Sequence, residues 1–186
     1  MAVYTDVSDD DLKAFLDQYD LGEVTSFKGI AEGVENSNFL LRTERGSYIL
    51  TLYEKRVRRA DLPFFVNLMR HLADRGIDCP VPLPGRDRER LRELCGRPAA
   101  IVTFLDGLWP RRVRPEHCRE LGGAMARLHV AGLDFPMHRA NDLSIGGWRP
   151  LFEHATARAH EVRPGLAEAL ARELDWLTDH WPTDLP

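Results

Sequence analysis

The stretch FKGIAEGVENSNFLLRTERGSYILTLYE, from Phe27 to Glu54, decides the fold. Segments rich in β-branched and aromatic side chains flank two short breaks, which is typical of strands joined by turns. The first break carries glycines followed by a small polar run, and the second is a short turn with Gly46. Because glycine adopts positive φ at little cost, Gly46 can close a tight hairpin. The stretch therefore predicts three consecutive antiparallel strands.

The flanking sequence predicts the other elements. A helix is expected to start after Ser8, whose side chain can cap it, and to end at Gly22. A second helix is expected over residues 61–75, and a second hairpin is expected to turn at Cys95–Gly96. Helical periodicity then covers residues 115–131, 148–162 and 164–181.

These elements predict an α+β fold, with a five-stranded antiparallel sheet and one intervening helix, followed by helices. The pattern changes near Asp106–Gly107. We therefore expect a sheet lobe over residues 1–106 and a helical lobe over residues 107–186.

Composition excludes some functions and favours one location. A net charge of −4 argues against a nucleic-acid surface, which usually needs a basic face. The 3 cysteines show no metal-ligand spacing and are odd in number, which favours a reducing compartment. No leader-like segment begins the chain, and no apolar run approaches the roughly 18 residues of a membrane span. We expect a cytoplasmic protein without nucleic-acid or membrane partners.

The glycine-containing turn has two interpretations. Glycines let a backbone approach a phosphate closely, successive N–H groups form an anion-binding concavity, and the polar run adds neutral donors. The alternative is a surface turn that is rich in glycine and asparagine for conformational reasons alone. The residues themselves leave both open. The candidate phosphate-binding residues are Gly29, Gly33, Asn36, Ser37 and Asn38, with Thr51 nearby on the third strand.

Several runs together resemble a known family: GVENSNFLL, YILTLYEKR, LPFFVNLMRHLADRG, CPVPLP, GRPAAIVTFLDG and LGGAMARLH. Their order and spacing are similar to those of type II homoserine kinases. These enzymes belong to the aminoglycoside-phosphotransferase-like branch of the protein-kinase fold. The resemblance covers essentially the whole chain and implies ATP-dependent phosphorylation of the L-homoserine hydroxyl, a step toward threonine.

The resemblance also implies a nucleotide in a cleft beside the connector between the lobes. Backbone groups of the connector would then face adenine, at Thr103, Phe104 and Leu105. The alternative for this segment is an edge strand that runs into a loop. ATP and Mg²⁺ are the implied small molecules, and this chain is expected to contain no metal ligand.

Two departures from the kinase pattern bear on mechanism. The position at which most kinases carry a phosphate-binding lysine falls on Thr51, and the position of its glutamate partner falls near Phe65. Thr51 can supply only a neutral hydrogen bond. Lys28 and Lys55 are nearby, but lysines at strand ends are usually solvated.

The second departure concerns the catalytic loop, which in this branch reads H-x-D-x-x-x-x-N. Asp134 after His129, and Asn141 and Asp142 after His138, lack that spacing, so loop capping is the better interpretation of them. In the resembled family the loop follows the segment that ends this chain. The catalytic residues are therefore unknown here, and we expect a C-terminally truncated, inactive piece of the enzyme.

Two rival functions stay open at this point. One keeps the fold and changes the substrate to choline, methylthioribose or an aminoglycoside. The other is a non-catalytic module that binds a nucleotide or a partner.

Overall fold

Five antiparallel strands form one sheet in the computed structural model, which describes residues 3–31, 35–54 and 57–182. The spatial order is β1-β2-β3-β5-β4, so the chain leaves the sheet once, between β3 and β4. The predicted five-stranded sheet is confirmed. Its strands are β1 (Val24–Gly29), β2 (Asn36–Thr43), β3 (Gly46–Tyr53), β4 (Arg92–Leu94) and β5 (Arg97–Thr103).

Both predicted hairpin turns are present. Thr43 pairs with Gly46 across the first, and Gly46 takes a φ of 150°. At the second turn Cys95 and Gly96 have φ values of 51° and 71°. Positive φ at both central residues is the geometry of the two-residue turns that match the strand twist. The sequence Cys95–Gly96 thus fixes the register in which Leu94 pairs with Arg97.

Helix α1 (Asp9–Leu16) covers one face of the sheet and is shorter than predicted. Its start is as expected, because the Ser8 side chain accepts a hydrogen bond from the Asp11 N–H at 3.2 Å. The prediction that it continues to Gly22 is wrong. After Leu16 the chain tightens, with a Tyr19 N–H to Leu16 carbonyl bond of 2.8 Å. Asp17 also disfavours a longer helix, because a carboxylate near a helix C-terminus interacts unfavourably with the helix dipole.

The hydrophobic core lies between α1 and the face of the sheet that α1 covers. Its members come from α1, the turn after it and the inward positions of the strands. The strand residues alternate between buried and partly exposed along β2, as a sheet with one buried face requires. The largest fully buried side chains include Phe15, Tyr19, Leu41, Leu50, Leu52 and Ile101.

Helix α2 (Leu62–Asp74) follows a short 3₁₀ turn (Arg59–Asp61) and agrees with the predicted 61–75. It packs against α3 (Pro115–Gly132) and the segment after it, where the rings of Phe64 and Phe135 lie 5.4 Å apart, edge to face. None of the α3 side chains is buried by the residues that the structure describes. Its outer face exposes several large apolar residues, among them Leu121, Met125 and Leu128.

The chain separates into two compact units, Met1–His138 and Arg139–Pro186. Helix α3 therefore belongs to the same unit as the sheet, because it contacts α2. The expected lobes, a sheet lobe over residues 1–106 and a helical lobe over residues 107–186, divide the chain at a different point, and that division stays a prediction.

Residues 139–182 of the second unit form three helices: α4 (Ile145–Thr156), α5 (Ala159–Val162) and α6 (Leu166–His180). The single helix predicted for residues 148–162 is two. The Thr156 hydroxyl donates to the Phe152 carbonyl at 2.7 Å, a local bond that competes with helix continuation. Within this unit Arg149 pairs with Asp175 at 2.6 Å. In the part of the chain that is described, no helix is long and apolar enough to cross a membrane.

The core assignment predicts a large stability loss for Leu41→Ala. Leu41 is fully buried between the sheet and α1, so the substitution should lower the free energy of unfolding by about 3 kcal/mol through lost burial and a residual cavity. Leu108→Ala is the matched control, since Leu108 is 98% exposed, and should change it by less than about 0.5 kcal/mol. Urea denaturation followed by circular dichroism measures both, and equal losses would contradict the assigned core.

Candidate functional site

The polar run after the glycine turn forms the first residues of β2. Side chains on a strand alternate between faces, so Asn36 and Asn38 lie on one side of the sheet and Ser37 lies on the other. Asn38 is directly opposite Thr51 on β3. The structure therefore brings Asn36, Asn38 and Thr51 onto one face, which we call the asparagine face.

A hydrogen bond links two of these residues. The Thr51 hydroxyl donates to Oδ1 of Asn38 at 2.8 Å. A hydroxyl has one hydrogen, so this bond uses the only donor of the Thr51 side chain. It also fixes the Asn38 amide, whose NH₂ group is then the available donor. Thr51, which the sequence comparison with kinases predicts at the lysine position, is linked to the asparagine face through Asn38.

Asn36 carries an unsatisfied polar atom. Its Oδ1 is buried and has no hydrogen-bond partner among the described residues. Burying an unpaired polar atom costs about 1–3 kcal/mol, so the position favours a bound group that would satisfy it. The oxygen and nitrogen of an amide exchange places by a half turn of the side chain. A half turn of the Asn36 amide would therefore direct its N–H to the same buried point, where an acceptor would satisfy it.

Ser37 is committed to the opposite face. It is fully buried, and its hydroxyl accepts the backbone N–H groups of Tyr4 and Thr5 at 2.8 and 3.2 Å. The same hydroxyl donates to Oε1 of Glu54 at 2.7 Å. All three hydrogen-bonding positions of the hydroxyl are thus used. The Ser37 side chain braces the strand end from behind and is directed away from Asn36 and Asn38.

Of the two candidate glycines, Gly29 lies in the described part of the chain. Gly29 is the last residue of β1 and pairs with Phe39. A Cβ added at Gly29 would lie 2.9 Å from Cγ2 of Val3, so a side chain does not fit without movement. Just beyond it, the Ile30 N–H donates to the Asn38 carbonyl at 2.8 Å. Gly33 and Lys55 lie outside the described residues.

The connector continues β5. The Thr103 N–H donates to the Val81 carbonyl at 3.0 Å. The Thr103 hydroxyl accepts a hydrogen bond from the Val81 N–H at 2.9 Å. The Phe104 N–H donates to the Ser47 carbonyl at 3.3 Å. Within the described part of the chain, the Leu105 N–H has no hydrogen-bond acceptor. Phe104 and Leu105 are 41% and 47% exposed, so their surfaces are open to a ligand.

Asp134 joins α2 to the end of α3. Its carboxylate accepts a hydrogen bond from Arg75 and lies 3.2 Å from Nε2 of His71, which in turn is 3.0 Å from the Ala131 carbonyl. The hydrogen bond and the charge of Arg75 lower the pKa of Asp134 below its ordinary value of 3.8. Asp134 is thus part of a structural clamp.

The other candidates near that position cap local structure. Asp142 pairs with Arg139 at 2.8 Å, and the Asn141 side chain accepts the Leu143 N–H at 3.0 Å. Among the described residues there is also no group of three or more His, Cys, Asp or Glu side chains that could hold a metal ion.

Sequence reasoning missed Glu54. Its side chain is 8% exposed, and its second oxygen, Oε2, lies 3.1 Å from Nε of Arg97. The signal was present, because Leu50, Leu52 and Glu54 are two residues apart and so share the buried face. A carboxylate on the buried face of a strand needs partners, and Ser37, Thr5 and Arg97 provide them.

Known proteins of similar sequence are phosphotransferases, among them homoserine kinases. The sequence model of the phosphotransferase enzyme family matches residues 26–186. Homoserine kinase of Bradyrhizobium diazoefficiens is 63% identical over 187 residues, an alignment with 100% of this chain and 57% of that protein. Homoserine kinase of Rhodospirillum rubrum is also 63% identical, with 58% of its length covered. The chain thus spans a little over half the length of these curated relatives.

The fold is also similar to that of a solved phosphotransferase. A spectinomycin phosphotransferase solved with ADP and spectinomycin superimposes with a TM-score of 0.71, over 97% of this chain and 60% of that one. At 15% identity this likeness concerns the fold alone. The predicted kinase-like α+β architecture is confirmed.

The clamp predicts a pH-dependent effect of Asp134→Asn. Because the folded-state pKa of Asp134 is lowered, its contribution to stability is present above the ordinary 3.8 and is lost as the pH falls through the lower folded value. The variant should therefore melt below the wild type at pH 7, and the two should converge in strong acid. Thermal melts at several pH values measure this. A melting difference that persists in strong acid would contradict the clamp.

Proposed function

Because this chain belongs to the phosphotransferase enzyme family, we propose that it forms the nucleotide-binding part of a kinase that phosphorylates the hydroxyl of L-homoserine with ATP. The observation that carries the proposal is the high identity to homoserine kinases over the whole chain. Since the chain matches only part of those enzymes, the activity is proposed for the complete gene product, meaning the protein encoded by the uninterrupted reading frame that contains residues 1–186.

The asparagine face is the proposed phosphate site. Phosphate oxygens are hydrogen-bond acceptors, and Asn36 and Asn38 offer side-chain N–H groups at the start of β2. Gly29 and Gly33 remain candidates from the sequence, since a glycine backbone can approach a ligand closely. Ser37 contributes through its backbone position, since its hydroxyl is engaged elsewhere. Neutral donors of this kind bind a phosphate without burying a further charge.

The proposed adenine site is the connector. Leu105 retains a backbone donor, and the exposed side chains of Phe104 and Leu105 can cover a flat aromatic base. Thr103 is opposite Tyr48, three residues from Thr51 along β3. Three residues of a strand span about 10 Å, which suits a ligand with its base at one end and its phosphates at the other.

The remaining chemistry is not assigned to residues of this chain. In phosphoryl transfer, Mg²⁺ neutralises the phosphate charge and a carboxylate orients the attacking hydroxyl. The described residues include no cluster that fits the metal, and Asp134, Asn141 and Asp142 have structural partners. The proposed partners are ATP and L-homoserine, and the cytoplasmic location expected from the cysteines remains part of the proposal.

A substrate panel tests the proposed reaction. The complete gene product, supplied with ATP and Mg²⁺, should release ADP with L-homoserine far faster than with choline, methylthioribose or spectinomycin. A coupled ADP assay measures the rates, and mass spectrometry identifies the phosphorylated alcohol. Turnover of spectinomycin without turnover of L-homoserine would keep the fold and overturn the substrate. ATP binding without turnover of any alcohol would favour a non-catalytic module.

The asparagine face predicts a charge-dependent loss of nucleotide affinity. Asn38→Asp keeps the size of the side chain, but it replaces a donor by an anion beside the phosphates. ATP affinity of the complete gene product should fall by at least about tenfold, because like charges repel and a hydrogen bond is lost. Asn67→Asp makes the same charge change on the exposed side of α2 and is the control. Calorimetric titration measures both, and similar affinities would remove the phosphates from this face.

A further inference from the structure

The first described residues contact the sheet on the side to which Ser37 is directed, opposite the asparagine face. Residues 3–5, which we call the N-terminal strap, contact the ends of β1, β2 and β3. Val3 lies against Gly29, at the end of β1, so closely that a Cβ on the glycine would be 2.9 Å from its Cγ2. The strap therefore touches the strand ends that border the turn.

Ser37 and Glu54 join the strap to β2 and β3. The N–H groups of Tyr4 and Thr5 both donate to the Ser37 hydroxyl, and that hydroxyl donates to Glu54. The Thr5 hydroxyl donates to the same Glu54 oxygen at 2.7 Å. Each polar atom of this group has a partner, so the group has one favoured arrangement.

Arg97 completes the network from β5. Its Nε lies 3.1 Å from the second Glu54 oxygen, and its side chain is only 36% exposed. Burying the Glu54 carboxylate removes water from its charge, which costs free energy. Several hydrogen bonds and an opposite charge are needed to offset that cost. Buried polar networks of this kind fix one geometry more than they add stability.

We propose that the N-terminal strap, acting through Ser37 and Glu54, positions the start of β2 with its two asparagines, Asn36 and Asn38, and thereby sets the affinity for phosphate. The proposal rests on the proposed function of the asparagine face. Ser37 lies between Asn36 and Asn38 in sequence and is directed to the opposite side. Any shift of Ser37 must therefore move the two asparagines. Ser37, Glu54 and Thr5 are positioning residues, since they act behind the face that would contact the ligand.

Two variants of the complete gene product test the strap. Glu54→Gln keeps the size of the side chain and removes its charge, and Thr5→Val removes one hydroxyl donor. Glu93→Gln is the matched control, because Glu93 is an exposed carboxylate that pairs with Arg59 at the far edge of the sheet. Thermal melting shows that each variant is folded before binding is measured.

The ligands are ATP and adenosine. Adenosine lacks phosphates, so its affinity reports the base site alone. Both strap variants should weaken ATP binding by about tenfold while adenosine binding changes by less than about twofold, and Glu93→Gln should change neither. Equal losses for ATP and adenosine would indicate a general structural role, and unchanged ATP affinity would show that the strap does not position the two asparagines for phosphate. Both results would overturn the proposal.

Failure of the proposed function has a separate signature. If the wild type binds no ATP, that function and the phosphate role of the strap both fail. Whether the strap holds the start of β2 is then decided without ligand, by hydrogen exchange of the Ile30 amide, which donates to the Asn38 carbonyl. Exchange should be faster in Glu54→Gln than in Glu93→Gln. Equal exchange rates would overturn the positional claim as well.

Discussion

Opposite orientation of neighbouring side chains along β2 is the constraint on which the candidate site depends. A strand turns each residue by half a revolution, so three consecutive polar residues cannot all face one ligand. Asn36 and Asn38 share a face with Thr51, and Ser37 faces the strap and Glu54. One short run thus provides both the proposed ligand-binding surface and the support behind it. Neither half can move without the other.

The support contains the most deeply buried charge of the site. Glu54 gains hydrogen bonds from two hydroxyls and an ion pair with Arg97, which together offset the loss of hydration. The asparagine face, in contrast, carries no formal charge on its three named side chains. An anionic ligand would therefore meet neutral donors in front, while the negative charge of Glu54 is neutralised behind the sheet by Arg97.

Local sequence signals predicted most of the fold. The strands, the turn at Cys95–Gly96 and the bounds of α2 follow from side-chain pattern and glycine placement, which act over a few residues. The early end of α1 and the break between α4 and α5 depend on competing local hydrogen bonds. The extent of the first unit depends on contacts between α2 and α3, such as that of His71 with Ala131. Contacts between distant residues leave no periodic signal.

The candidate site was predicted in part for the same reason. Its polar residues were visible as a run, but treating the run as one surface ignored the alternation that separates Ser37 from its neighbours. Glu54 was overlooked although its spacing from Leu52 places it on the buried face. Its partners, Thr5 and Arg97, are 49 and 43 residues away along the chain, so only the folded structure connects them.

The most direct test of this account is a nuclear magnetic resonance titration of the ¹⁵N-labelled complete gene product with ADP. The account predicts that the largest shifts occur at the side-chain amides of Asn36 and Asn38 and at the Leu105 backbone amide. A depression of the first unit that is lined by Lys13, Thr25 and Glu44, between α1 and β1, should be unaffected. Shifts concentrated there, with the two asparagine amides unchanged, would contradict it.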